Sequence, residues 1–312
     1  MTGVILLNLG GPDSLEAVKP FLYNLFSDRK IIRLGPSFLQ GPIARIISSL
    51  RAGKTRRLYR LIGGSSPILG ITRAQAAALE ERLRARGDYR VYVGMRYWRP
   101  FIEDAVRQAR EDGAERLLGL SLYPQYSKAT SGSSEDSFRE AARKHGLPHR
   151  TVPSWFDHPL YIEALADVIR KRLSEGADVL FSAHGLPVSF VKEGDPYVVE
   201  VMGTIRAVSQ KIDIRWHLGY QSRSGPVRWL EPSTEEVLRG LAAGGATEVL
   251  MVPVSFVSDH IETLYEIDIL YKSMGERMGL RMKRTESLNT HPLLIRALED
   301  LALRGLEGEG RA

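Results

Sequence analysis

Two stretches of this chain read alike, PFIEDAVRQAREDGAERLL at residues 100–118 and PSTEEVLRGLAAGGATEVL at residues 232–250. One constant offset pairs Glu103 with Glu235, Gly113 with Gly245 and Ala114 with Ala246. Repetition at this spacing marks a unit of structure used twice. A second echo extends it: LLNLGGP at 6–12 aligns with FSAHGLP at 181–187, which puts Leu9 and His184 at equivalent strand ends. Two similar halves are expected, residues 1–150 and residues 151–312.

The runs between these stretches fix the class. VILLNL (4–9), RVYVGM (90–95), RLLGLSLY (116–123), DVLFSA (178–183), IRWHLGY (214–220) and EVLMVPVSF (248–256) are nearly continuous apolar segments. They alternate with helical patterns such as ITRAQAAALEERLRARG, which ends on a glycine. Apolar runs separated by helices indicate parallel strands buried on both faces, so the chain reads as an α/β protein of βαβ units. In such folds ligands bind outside the carboxyl ends of the strands. A histidine that closes DVLFSA is therefore placed for chemistry, and an apolar Leu9 facing it would suit a flat, mostly apolar ligand.

Composition narrows the partners. With 312 residues, 43% of them hydrophobic and 26% charged, the chain can build a large core, and no run approaches the roughly 18 apolar residues of a membrane span. Its start lacks a basic, cleavable leader, so a cytoplasmic protein is expected. There is no cysteine, which excludes disulfides and cysteine-held iron–sulfur clusters and leaves nitrogen and oxygen as metal ligands. The net charge of +6 favours acidic partners, but the basic residues are dispersed and no nucleic-acid signature is present. NLGGPDS lacks the GxGxxG spacing of a dinucleotide loop, which argues against NAD.

Two strand-end segments carry candidate chemistry. On a helix, SDHIETLYEID (258–268) would align Asp259, Glu262 and Glu266 as an acidic stripe beside His260, with Ile261 and Leu264 packing inward. An Asp259–Glu262 capping box is the purely structural reading of the same residues. Imidazole and carboxylates without cysteine suit a divalent cation or a proton relay. GYQSRSGPVRWLEP (219–232) corresponds to GMRYWRP with residues inserted, a long loop at a strand end. YPQYSKATSGSSE (123–135) reads either as an anion-binding nest or as a polar loop before a helix cap.

In order and spacing, NLGGPDS, IGGSSPI (62–68), VGMRYWRP (93–100), YPQYS, SAHGLP, YQSRSGP with Trp229, and SDHIETLYEID resemble the ferrochelatases over nearly the whole chain. The resemblance implies two Rossmann-like, flavodoxin-like domains with parallel sheets and a porphyrin cleft between them, and insertion of ferrous iron into a porphyrin to make heme. It implies that His184 and Glu262 are the central catalytic residues, and that Leu9, Arg96, Tyr123 and Trp229 line the cleft. By the same resemblance Arg51, Lys54 and Ser222 match positions that hold the propionates. His184, Glu262 and His260 are expected to handle metal or protons, with Glu266 and Asp268 on an outer route that Leu270 cuts short.

The expected enzyme is a monomer of the cluster-free type, with ferrous iron as substrate and no resident cofactor. Leu9, where relatives carry Met or Tyr, favours protoporphyrin IX over coproporphyrin III. The apolar segment LGPSFLQGPIARIISSL (34–50) resembles the cleft lip and is expected either to touch a membrane surface or to pack as a core helix. Competing readings are a chelatase for cobalt or nickel and a two-lobed porphyrin carrier that does not turn over.

Overall fold

The computed structural model describes residues 1–223, 225 and 227–308. The chain divides into two compact units, Met1–Trp155 with the stretch from Ile295 onward, and Phe156–Leu294. The boundary expected after residue 150 falls inside a strand of the first unit. Part of the loop expected at 219–232 (Ser224 and Pro226) lies outside the described residues.

In the first unit β1 (Thr2–Asn8) pairs with β2 (Tyr89–Met95) and with β3 (Arg116–Ser121), and β3 pairs with β4 (His149–Val152), all in parallel. In the second, β5 (Asp178–His184) pairs with β6 (Trp216–Gln221) and β7 (Glu248–Pro253), and β7 with β8 (Arg281–Arg284), again all parallel. The orders are β2-β1-β3-β4 and β6-β5-β7-β8, one topology used twice. Every residue of β1 is buried, and β5 is buried until His184, as expected for strands covered on both faces. The short edge strands β4 (HRTV) and β8 (RMKR) escape the sequence reading because charged and polar residues interrupt their apolar pattern.

The repeated stretches occupy equivalent places. Helix Ile102–Glu111 and helix Thr234–Ala243 are each ten residues long. At their starts Phe101 N donates to Asp104 and Ser233 N donates to Glu236. At their ends Gly113 and Gly245 take positive φ of 90° and 83°, and the next residues, Ala114 and Ala246, return hydrogen bonds to Ala109 and Leu241. Gly94 and Gly219 let each strand lie against the helix that follows. A Cβ on Gly94 would stand 3.1 Å from Ile102 Cα, and one on Gly219 would stand 2.8 Å from Thr234 Cα.

Each unit has its own core. Ile5, Leu7, Val106, Leu117 and Phe138 pack together in the first, and Leu180, Leu238, Val249, Met251 and Met282 in the second. Helix Pro292–Glu307 begins in the second unit and continues in the first. There Glu299 accepts from Arg82 Nε at 2.5 Å and Arg86 Nε at 3.3 Å. A Cβ on Gly305 would stand 2.8 Å from Val152 Cγ2, so this helix lies close on β4. No helix among the described residues is long and apolar enough to cross a membrane.

Candidate active site

β5 delivers His184 as its last residue, in register with Gln221 at the end of β6. The chain then turns at Gly185, whose N donates to Gln221 O at 2.8 Å. A Cβ on Gly185 would be 2.6 Å from that oxygen and 3.5 Å from Trp229 Cε3, so only glycine lets the turn close against β6. The His184 side chain is 28% exposed, and its Nδ1 lies 2.8 Å from Glu262 Oε2. Its Nε2 has no protein partner among the described residues. With Nδ1–H donating to a carboxylate, Nε2 is the nitrogen that presents a lone pair.

Glu262 opens a π-helix, Glu262–Tyr271, not the α-helix the stripe assumed. Its i→i+5 bonding winds the chain more widely than an α-helix, so residues four apart lie nearly in line. The buried face is Thr263, Ile267 and Tyr271, whereas Ile261 and Leu264 are only partly buried. Glu262 and Glu266 stand on one side and are joined by Ser222, whose Oγ is 3.0 Å from Glu262 Oε2 and 2.6 Å from Glu266 Oε2. Gln221 Nε2 donates to the same two oxygens at 3.1 and 3.3 Å. Ser222, matched to a propionate position in the sequence, thus uses its hydroxyl to bridge two carboxylates.

Asp259 leaves the expected stripe, and Asp268 leaves the expected outer route. Asp259 precedes the helix and accepts from Arg284, Ser287, Thr263 and Asn289, so neither the stripe nor an Asp259–Glu262 capping box forms. Asp268 is held by Arg284 at 2.7 and 2.9 Å, because six residues along a π-helix carry it to another side from Glu262. His260 is buried, donates Nδ1–H to Ser258 O at 3.0 Å, and keeps Nε2 without a hydrogen bond, 3.9 Å from Glu262 Oε1. Phe256 packs against His260 with ring centres 4.3 Å apart and the rings inclined at 61°, and it meets His184 edge-on at 6.0 Å. Among the described residues no group of three or more His, Asp or Glu side chains forms a ready metal site.

The electrostatics follow from this packing. Burial opposes charge on His184, but the Glu262 carboxylate overcomes it and raises the His184 pKa. Burial also works against the Glu262 charge, yet His184, then His260 and the Ser222 hydroxyl, hold its carboxyl well below the usual range. Glu266 goes the other way: burial, then the neighbouring Glu262 charge, push it up to about 7. Burial lowers the His260 pKa and favours its neutral form. One side chain is therefore poised to take a proton, one to stay ionised, and one to exchange protons near neutrality.

In the first unit three expected residues gather at the carboxyl ends of adjacent strands. Leu9 follows β1, Arg96 follows β2, and Tyr123 lies just past β3. Arg96 N donates to Asn8 O at 2.8 Å, and Tyr97 N to Leu9 O at 3.0 Å, which extends the ladder beyond the strands. The Arg96 guanidinium bonds Asp28 and Ser133, each at 2.8 Å, and Tyr97 and Ser133 complete the shell around the Asp28 carboxylate. Arg51 and Lys54 lie one turn apart on helix Gln40–Leu61, with Arg51 over the Phe26 ring.

Comparison with known proteins agrees with this geometry. A ferrochelatase family model matches residues 1–306. Curated ferrochelatases from Geotalea daltonii and Geotalea uraniireducens are 49% and 50% identical, each alignment covering 99% of both chains. The chain belongs to the ferrochelatase family. Insertion of ferrous iron into a porphyrin to form heme is accordingly its reaction, and it is a lyase of the metal-chelatase kind. A solved structure titled SirB from Bacillus subtilis with Fe3+ shares the fold, with TM-score 0.59 and 12% identity over 99% of this chain and 98% of that one. A second, the sirohydrochlorin chelatase SirB with cobalt, gives 0.56 at 13% identity, covering 99% of this chain and 97% of the other.

Within this ferrochelatase the structure adds residues that sequence reasoning passed over. Gln221 reaches both carboxylates, and Phe256 touches both imidazoles. Ser255 and Tyr197 bond the His184 backbone. Ser255 and Phe256 had a signal, since they end the EVLMVPVSF run at a strand terminus. Tyr197 had none, being a single aromatic at the start of an ordinary helix.

Proposed function

We propose that this ferrochelatase acts on protoporphyrin IX and that His184 Nε2 accepts the pyrrole protons. The supporting observation is the 2.8 Å bond from His184 Nδ1 to Glu262. It fixes the tautomer with the lone pair on Nε2, and the carboxylate stabilises the imidazolium that forms when a pyrrole N–H is lost. Glu262 stays ionised through this step because the neighbouring imidazoles and Ser222 hold its proton off. Glu266, coupled to it through Ser222, can take a proton onward near neutral pH. Neutral His260, with Nε2 unpartnered, is a nitrogen ligand for ferrous iron as it sheds water. Asp268 has no part in this route, since Arg284 occupies its carboxylate.

Leu9 supports the choice of porphyrin, by resemblance to relatives that differ at this position. We also infer a peripheral membrane contact. Phe38, Ile46 and Leu50 are 76%, 61% and 78% exposed beside Arg51 and Lys54, a mixture that suits an anionic lipid surface. Flotation with anionic vesicles tests it, and failure to float would refute it.

Anaerobic ferrous insertion into protoporphyrin IX and coproporphyrin III, side by side, tests the main reading with the wild type, His184→Ala and Leu9→Tyr. The expected result is faster metallation of protoporphyrin IX, loss of turnover in His184→Ala, and a shift toward coproporphyrin III in Leu9→Tyr. Turnover undiminished in His184→Ala would refute the proton-acceptor role, and preference of the wild type for coproporphyrin III would refute the substrate.

A further inference from the structure

We propose that Ser255 and Tyr197 are positioning residues for His184, acting on its backbone through a closed ring of hydrogen bonds. The His184 N–H donates to Ser255 Oγ at 3.0 Å, and Tyr197 Oη donates to His184 O at 3.0 Å. Ser255 Oγ and Tyr197 Oη are 2.6 Å apart. A phenol has one hydrogen, and here the carbonyl takes it, so the short bond between the hydroxyls must be filled by the serine hydrogen. The ring runs one way, from His184 N–H to Ser255 O–H to Tyr197 O–H to His184 C=O. Each hydroxyl donates once and accepts once.

The ring answers a local shortage of partners. On the β7 side the pairing of β5 ends at Ser182 with Pro253, and Val254 N closes the ladder onto Ser182 O. The next donor on this edge is the His184 N–H, and the next carbonyl along, Val254 O, accepts from Tyr161 Oη at 3.2 Å. The Ser255 side chain stands in for the missing strand, and Tyr197 reaches the His184 carbonyl from the first turn of helix Tyr197–Ser209. Ser255 and Tyr197 are both 5% exposed, so water does not replace either bond. Burial raises the Tyr197 pKa, which keeps the hydroxyl protonated as the ring requires.

The purpose follows from how little else holds the imidazole. Its ring has a single side-chain hydrogen bond, to Glu262, and its outer face must stay open to substrate. Where Nε2 points therefore depends, beside the Glu262 bond, on the two peptide planes flanking the His184 Cα, and the Ser255–Tyr197 pair pins both. Misplacement of a reacting nitrogen lowers the rate of a proton transfer without weakening ground-state binding elsewhere.

This inference rests on the reading of His184 as proton acceptor, and one series of variants separates the two. Tyr197→Phe, Ser255→Ala, the double variant, Ser255→Thr and His184→Ala are compared by anaerobic iron insertion and by quenching of porphyrin fluorescence on binding. Thermal midpoints confirm that each is folded. Tyr197→Phe and Ser255→Ala should each lower kcat on the order of tenfold, with the porphyrin KM and Kd changed by less than about twofold. The double variant should be no worse than the poorer single one, because either change opens the same ring. Ser255→Thr, which keeps the hydroxyl, should recover most of the rate. Wild-type kcat in folded Tyr197→Phe, a double variant whose losses multiply, or no recovery in Ser255→Thr would overturn the ring while leaving His184 in place. Turnover retained by His184→Ala would instead remove the reading on which it rests. Tyr197→Phe alone decides the matter if Ser255→Ala does not fold.

Discussion

Replacing Gly219 by alanine should destabilise the second unit although it adds only a methyl group. That methyl would lie 2.8 Å from Thr234 Cα and 3.2 Å from Thr234 N, both backbone atoms at the start of a helix. Carbon atoms in good contact are about 3.5–4.0 Å apart, so β6 and helix Thr234–Ala243 must separate by roughly an ångström. Overpacking of this kind costs about 1–3 kcal/mol, against which alanine recovers about 0.4–1 kcal/mol by restricting the unfolded chain. The expected net loss is about 1–2 kcal/mol, a fall in thermal midpoint of roughly 4 °C for a unit of this size. Gly94→Ala, with its nearest contact at 3.1 Å, should cost less. Gly240→Ala, within the same helix and with nothing within 4 Å, should stabilise by up to about 1 kcal/mol. Urea unfolding followed by circular dichroism measures all three. A Gly219→Ala protein as stable as the wild type, or less affected than Gly94→Ala, would refute the reasoning.

Other outcomes follow from the site and its surroundings. Glu262→Gln should lower turnover by about 10–100-fold by removing a charge-assisted bond to His184, while fluorescence titration finds porphyrin affinity little changed. Glu266 has a folded pKa of about 7, above its ordinary 4.5, so the folded protein binds the extra proton and loses stability as pH rises through that window. Glu266→Gln should therefore gain thermal stability relative to the wild type at pH 8 more than at pH 5. Glu248 is the opposite case: bonds from Lys283 and Ser174 hold its carboxyl at about 2, so its contribution is whole above pH 4.5 and disappears as pH falls toward 2. Urea midpoints should show the stability gap between wild type and Glu248→Gln closing over that range. Asp28→Ala should cost about 3 kcal/mol in chemical unfolding, since it leaves Arg96, Tyr97 and Ser133 without their common acceptor.

Much of the fold is legible because it rests on period and repetition. Six of the eight strands coincide with apolar runs, and the offset joining residues 100–118 to 232–250 reappears in two matched helices and their glycine ends. The site is legible where chemistry requires a residue type at a strand end, as with His184. It is less so where distant partners decide. Helical spacing sets Glu266 beside Glu262 and turns Asp268 away in a π-helix as in an α-helix, yet nothing in it shows that Arg284 takes Asp268. Partnerships between distant polar residues were also hidden. Nothing in the spacing of Ser222 and Glu266, or of Tyr197 and Ser255, announces a hydrogen bond.

Helix Pro292–Glu307 imposes an order on synthesis. The first unit is begun at residue 1, but Glu299, which binds Arg82 and Arg86, and Gly305, which lies against β4, are made after the whole second unit. A nascent chain therefore emerges with its first sheet incompletely covered, while Phe156–Leu294 can finish folding on its own residues. Domains usually mature in the order in which they leave the ribosome. Here the earlier one is completed last, when this helix covers the apolar side chains of Leu118 on β3 and Val152 on β4.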